Sequence, residues 1–223
     1  MKRSDDDQNP YLRDPDVRLM LRARDGDEAA FSELVASYQD RLVGVLAHLL
    51  QNREAAEDLA QEVFLRIYRA RSGYEPTARF STWMFQIANN LARNLRRDTG
   101  RRREVLLNGD ESGINSADSA PPTIADKSGL MPTRQSEKSE MRAVVQAALE
   151  TLTETQRMAV LLHRFDEMSY ADIAATLDLS PSAVKSLLSR ARESLREKLS
   201  PYVQRGALGR IEPAAGKPSF APV

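Results

Sequence analysis

The 223-residue chain contains no cysteine. Disulfides, thiolate metal sites and cysteine nucleophiles are therefore excluded. Only two histidines occur, His48 and His163, far apart and each inside an apolar helical run. That placement fits hydrogen-bonded structural histidines better than a metal site. Aromatic residues are 6% of the chain. With Leu and Ala abundant, this scarcity points to helices rather than to a sandwich or barrel. No apolar run approaches the roughly 18 residues of a membrane span. The start Met1-Lys2-Arg3-Ser4-Asp5-Asp6-Asp7 is unlike a signal peptide, so no membrane insertion is expected and the cytoplasm is the expected compartment. Paired catalytic groups, a phosphate loop and metal-ligand spacing are all missing, so the expectation is a protein that is not an enzyme and uses no cofactor or metal.

Charge of one sign is not in excess either: 32 basic and 32 acidic side chains cancel. A zero sum does not exclude nucleic-acid binding, because the distribution matters more. Here it is segregated. Arg93, Arg96, Arg97, Arg101, Arg102 and Arg103 crowd one stretch, and Glu54, Glu57, Asp58 and Glu62 crowd another.

Apolar residues recur at three- and four-residue steps through most of the chain, which predicts amphipathic helices. The first starts near Asp16. A long second one carries Phe31, Leu34, Val35, Tyr38, Leu42, Val45, Leu46 and Leu49. A third runs from about Glu54 to Arg71, and a fourth begins near Ser81 with Trp83, Met84, Ile87, Ala88 and Leu91 inward. Four such helices can share one core. From about Gly109 the periodicity stops and Ser, Asp, Gly and Pro take over, which reads as a linker. A second helical unit follows, with Thr153 and Gln156 set as a capping box. The expected organisation is all-α: a flexible N-terminus (1–15), a four-helix domain (16–104), a linker (105–138), a second helical domain (139–200) and a flexible tail (201–223).

The second domain carries the sharpest motif. Ser169 to Leu177 forms a short amphipathic helix, Asp178-Leu179-Ser180 a turn, and Pro181 to Leu199 a longer helix. Ser180 suits the N-cap and Pro181 the first helical position. This is a helix-turn-helix, whose second helix enters the DNA major groove. Val184, Leu187, Leu188, Ala191 and Leu195 face inward at helical spacing. Ser182, Lys185, Ser186, Ser189 and Arg192 face outward, and Arg190 adds a further cation. Small hydroxyls can approach base edges, and the cations can meet phosphate or guanine.

Two faces of the first domain are also unusual. Asp58, Gln61, Glu62 and Leu65 lie opposite the core stripe of the third helix. An outward Leu in an acidic stripe suits a basic partner with an apolar spot, although the same stripe also fits a solvated charged face. The fourth helix turns Gln86, Asn89, Asn90 and Arg93 outward, followed by Arg96 and Arg97. Arg79, Phe80 and Trp83 stand at its start. Amides and arginines beside aromatics can hold unstacked bases; Phe80 and Trp83 fit a core role equally.

Taken together, these segments resemble the bacterial RNA polymerase sigma factors of the extracytoplasmic-function group. Asp58-Leu59-Ala60-Gln61-Glu62-Val63-Phe64 resembles that family's core-binding motif. Phe80-Ser81-Thr82-Trp83-Met84-Phe85-Gln86-Ile87-Ala88-Asn89-Asn90 resembles the segment that melts and reads the proximal promoter element. Ser169-Tyr170-Ala171-Asp172-Ile173-Ala174 and Ala183-Val184-Lys185-Ser186 resemble the region that reads the distal element. The resemblance implies two partners, core RNA polymerase and promoter DNA, both duplex and melted. Asp58, Gln61, Glu62 and Leu65 would meet the polymerase. Arg79, Phe80, Trp83, Gln86, Asn89, Asn90, Arg93, Arg96 and Arg97 would meet the proximal element, with the loop Ser72–Ala78 choosing bases. Ser182, Lys185, Ser186, Ser189, Arg190 and Arg192 would meet the distal one. It leaves room for an anti-sigma protein as a further partner. A helix-turn-helix regulator of the response-regulator type would need an α/β receiver, and no alternating strand pattern is present. A sigma-like decoy that binds only an anti-sigma protein would have little need of the cations on the fourth and last helices.

Overall fold

Helix starts are set by polar side chains placed just ahead of each apolar stripe. In the computed structural model the backbone is described for residues 9–108 and 132–204, and side chains for 9–97 and 140–202. Asp14 caps α1 (Pro15–Arg24), with Pro15 at its first position. Asp27 caps α2 (Glu28–Leu50) by accepting from the Ala30 N–H at 3.1 Å. Asn52 caps α3 (Arg53–Ala70) in the same way through Ala55 at 3.0 Å. Each cap satisfies a backbone donor that the first helical turn leaves open. A long α4 (Phe80–Asn108) follows.

The second unit comprises α5 (Pro132–Glu150), α6 (Glu154–Phe165), α7 (Tyr170–Leu177) and α8 (Pro181–Gln204). Both halves of the Thr153–Gln156 capping box form. A second box joins Ser169 to Asp172 at the start of α7. Arg157, 5% exposed, reaches back to the closing turn of α5 and donates to the carbonyls of Leu149 (3.0 Å) and Glu150 (3.3 Å). A cation there suits the negative end of α5.

The described residues form helices, turns and loops without a strand, as the periodicity leads one to expect. Leu34, Leu42, Leu46, Leu49, Val63, Ile67, Phe80, Met84 and Phe85 are wholly buried in the first unit. Met158, Leu161, Leu162, Ile173, Val184 and Leu188 fill the second.

Three features differ from the sequence reading. Residues 10–13 make a 3-10 turn, and Tyr11 and Leu12 pack on the core, so the N-terminal end is tied down from Asn9 onward. Helix α5 begins at Pro132, inside the expected linker. Arg134, Gln135, Glu137 and Lys138 are good helix formers without being apolar, so a hydrophobic pattern does not reveal them. Finally, the two units pack together, α2 against α6 and α4 against α7. Arg41 pairs with Asp166, the Thr82 hydroxyl donates to Asp172 at 3.3 Å, and Arg96 pairs with Glu154 at 3.0 Å. The remainder of the linker and most of the tail lie outside the described residues.

Candidate functional site

Three surfaces carry the candidate residues. On α3, Ala56, Leu59, Ala60, Val63, Phe64 and Ile67 are buried, which fixes the opposite side as the open one. Asp58 and Gln61 are exposed there, Glu62 is half-buried, and Leu65 is 48% exposed. Glu62 is not a bare charge, since Arg66 pairs with it one turn on at 2.8 Å. Gln61 and Leu65 also edge an apolar groove shared with Phe31, Val35, Val145 and Leu195. An exposed Leu beside carboxylates gives a partner an apolar anchor within a polar surround.

The fourth helix divides its candidates. Gln86, Asn90, Arg93 and Arg97 are exposed at helical spacing and make one stripe, with Arg79 exposed at the start. Trp83 is half-buried and lies 5.0 Å, centroid to centroid, from Tyr74. Phe80 is a core residue, fully buried and packed edge-on against Tyr38 at 5.3 Å. Asn89, expected outward, is 6% exposed. It lies two turns on from Thr82, on the stripe whose hydroxyl bonds Asp172 of α7, so the second unit covers that side. Arg96 is engaged by Glu154. Sequence spacing finds the side of a helix that avoids its own core, and it is blind to a second unit laid over that side.

All six candidates on α8 are exposed: Ser182, Lys185, Ser186, Ser189, Arg190 and Arg192. Beneath them Val184, Leu188 and Ala191 are buried, which sets the helix's rotation. The Ser180 hydroxyl accepts from the Ala183 N–H at 3.2 Å, and Asp178 ends α7 in the left-handed region at φ 56°. Arg192 donates to the Tyr170 hydroxyl at 3.2 Å, bracing one helix of the motif on the other. The face therefore combines short hydroxyl side chains with Lys and Arg on a rigid helix, a set able to reach both base edges and phosphates.

The histidines are structural. His48 Nδ1 lies 3.0 Å from Gln146 Oε1, and His163 Nδ1 lies 3.3 Å from the Met168 carbonyl oxygen.

Residues 34–102, spanning most of α2 to α4, match the family Sigma-70 region 2, and residues 142–195 match Sigma-70, region 4. Over 191 residues the sequence is 32% identical to the ECF RNA polymerase sigma-E factor of Escherichia coli, covering 85% of this chain and 97% of that one. This chain belongs to the extracytoplasmic-function sigma factors. The RNA polymerase sigma-H factor of Pseudomonas aeruginosa is 31% identical over 190 residues, 85% of this sigma factor and 96% of that one. Among solved structures, the sigma factor RpoE of Bartonella quintana, in complex with the anti-sigma factor NepR, aligns with a TM-score of 0.58 and 25% identity, over 76% of this chain and 96% of that one. CnrH in complex with the cytosolic domain of CnrY shares the fold, with a TM-score of 0.60 at 23% identity over 83% and 97% of the two chains. In this sigma factor the acidic and amide-rich surfaces fall in region 2 and the helix-turn-helix in region 4.

Two residues that matter for the arrangement escaped the sequence reading. Arg41 sits on the outer side of α2 and looks like any solvated cation until Asp166 is brought to it. Asp172 could have been found, because Ser169-x-x-Asp172 is a capping signature, but its second contact, to Thr82, has no local signal.

Proposed function

We propose that this sigma factor binds core RNA polymerase through the α3 face, opens the proximal promoter element with α4 and the loop before it, and reads the distal element with α8. The observation that carries this reading is the exposed face of α8. It sets Ser182, Lys185, Ser186, Ser189, Arg190 and Arg192 outward on the second helix of a helix-turn-helix. That helix stands in the same chain as the α3 surface of Asp58, Gln61, Glu62 and Leu65. The acidic residues of α3 complement a basic polymerase surface, and Leu65 supplies the apolar contact. The α4 stripe Gln86, Asn90, Arg93 and Arg97, with Arg79 and Trp83 at its start, suits an unstacked strand: amides for base edges, cations for the backbone, an indole for stacking. Catalysis would remain with the polymerase. An anti-sigma protein is a further partner class, supported by the neighbour solved with one. Among the described residues no helix is long and apolar enough to cross a membrane.

The test is run-off transcription from a randomised promoter library, with core polymerase alone and with this protein. Protein-dependent transcripts sharing a two-part upstream motif are the expected result. Asp58→Arg should abolish polymerase binding while the circular dichroism and melting curve stay unchanged. Full affinity in that variant would move the docking face off α3.

A further inference from the structure

Among the described residues, three of the four exposed large apolar side chains gather in one place. Leu65, Val145 and Phe165 are 48%, 36% and 58% exposed, and all three line one groove between the two units. Helix α2 adds Val35 and Val43 to it, and α8 adds Leu195 and Leu199. Phe165 stacks on His48 at 6.1 Å, and His48 meets Gln146, so side chains of both units set the groove's width. Its cavity volume is about 1840 Å³. Small-molecule pockets hold about 300–1,000 Å³, so this one suits a length of polypeptide. Apolar surface left open in this way marks an interaction site.

The charge around the groove is uneven. Asp40 and Glu57 line its α2–α3 side, with Asp58 and Glu62 beside them on α3. Arg53, on the same side, is engaged by Glu57 at 2.8 Å. Arg142 and Arg164 belong to the α5–α6 side. A fitting occupant brings apolar anchors to the floor and cations to α3.

The chain itself supplies such a segment. Residues 205–223 follow α8 directly, and α8 lines the groove through Leu195 and Leu199, so the point of attachment is close by. The segment carries Leu208, Ile211 and Phe220 as apolar anchors. Arg205, Arg210 and Lys217 are its cations, against the single acid Glu212. At about 3.3 Å per extended residue, the stretch from Arg205 to Phe220 reaches up to about 50 Å, ample to run along the groove. Weak contacts suffice, because a short tether gives an effective concentration on the order of millimolar.

We propose that residues 205–223 occupy this groove intramolecularly, and that the bound segment screens Gln61 and Leu65 from core polymerase. The screening half rests on the reading of α3 as the polymerase-docking face. Polymerase and segment then compete for one apolar edge, and polymerase binding displaces the segment. With the segment bound in about four molecules of five, its release raises the apparent polymerase affinity about fivefold.

The experiment places the photoreactive residue p-benzoylphenylalanine at position 220, and separately at position 211, of the full chain. After irradiation, mass spectrometry maps the crosslinks. The expected products are intramolecular and join either position to the peptides that hold Leu65, Val145 and Phe165. Val145→Ser with Phe165→Ser should abolish them while the melting curve stays close to that of the wild type. Crosslinks scattered over the surface, or none, would overturn the proposal. Crosslinks between copies that grow with protein concentration would assign the groove to a second copy and overturn it equally. Core-polymerase affinity is then compared, by fluorescence anisotropy, between the full chain and its Ile211→Asp, Phe220→Asp variant. A gain of about fivefold in the variant is expected. Groove crosslinks with an unchanged affinity would overturn the screening half, and Asp58→Arg would show separately whether the α3 docking face stands.

Discussion

Arg41, midway along α2, forms an ion pair with Asp166, the residue that closes α6, and so ties region 2 to region 4. The carboxylate side is 2% exposed and the guanidinium side 46%. Burial dominates at Asp166 and raises its pKa from 3.8 to about 6, although Arg41 and Arg79 pull it down; Asp16 and Asp172 add to the rise.

The pH dependence follows from that direction. The folded pKa lies above the unfolded one, so between them the folded protein binds the extra proton. The stability linked to this proton is fully present below about pH 4 and lost as pH rises through about 6. The difference in Tm between the wild type and Asp166→Asn should therefore fall as pH rises from 4 to 6 and stay level above 7. Thermal melts at matched ionic strength measure it, and subtracting the variant removes the other carboxylates. A difference that rises with pH would mean that the ion pair outweighs burial.

Reversing the cation should loosen the two units. Arg41→Glu sets a carboxylate against a buried carboxylate, and removing the partner of a buried charge costs up to about 3–5 kcal/mol. Because Arg41 is half exposed, a cost of about 1–3 kcal/mol is expected, after the usual solvent screening. Small-angle scattering should record a larger radius of gyration. An unchanged radius would assign the contact between units to the apolar packing alone.

Phe80 and Gln86 should behave oppositely. Phe80 is wholly buried, so Phe80→Ala should cost about 3–5 kcal/mol in chemical denaturation. Gln86 is exposed, so Gln86→Ala should change stability by less than about 0.5 kcal/mol and act on promoter opening instead. Permanganate footprinting of the bubble checks the second half.

On α8 the salt dependence separates phosphate from base contacts. Lys185→Ala with Arg190→Ala should weaken distal-element binding and make the salt slope shallower by about two units if both side chains meet phosphate, at roughly 0.9 per contact. Anisotropy titrations between 50 and 200 mM salt give the slope. A constant slope with relaxed sequence preference would make them base readers.

What could be read from the sequence was whatever a single helix encodes. The 3.6-residue stripes of α2, α3 and α8 announce their buried and open sides, and Ser180 with Pro181 announces where α8 starts. Information spread over distant positions was not readable. Arg41 and Asp166 are 125 positions apart, and the hydrogen-bonded Asn9 and Pro76 are 67 apart. Nothing local marks either pair. Asn89 shows the same limit from the other side. Its spacing says outward from region 2, yet it is 6% exposed, on the stripe of α4 whose Thr82 meets α7. Polar helix formers at the start of α5 escaped because a helix without an apolar stripe leaves no period to detect.

Asp178 and Glu167 hold left-handed backbone, at φ 56° and 50°, where glycine would sit without a Cβ penalty. Each replacement by glycine offers on the order of 1 kcal/mol, and neither residue is assigned to polymerase or DNA. These positions are therefore natural sites for global suppressors. A chain weakened by a change on α3, α4 or α8 can regain folding there without regaining the lost contact. Second-site revertants that map to these positions would report on stability, whereas revertants on the partner's surface would report on recognition.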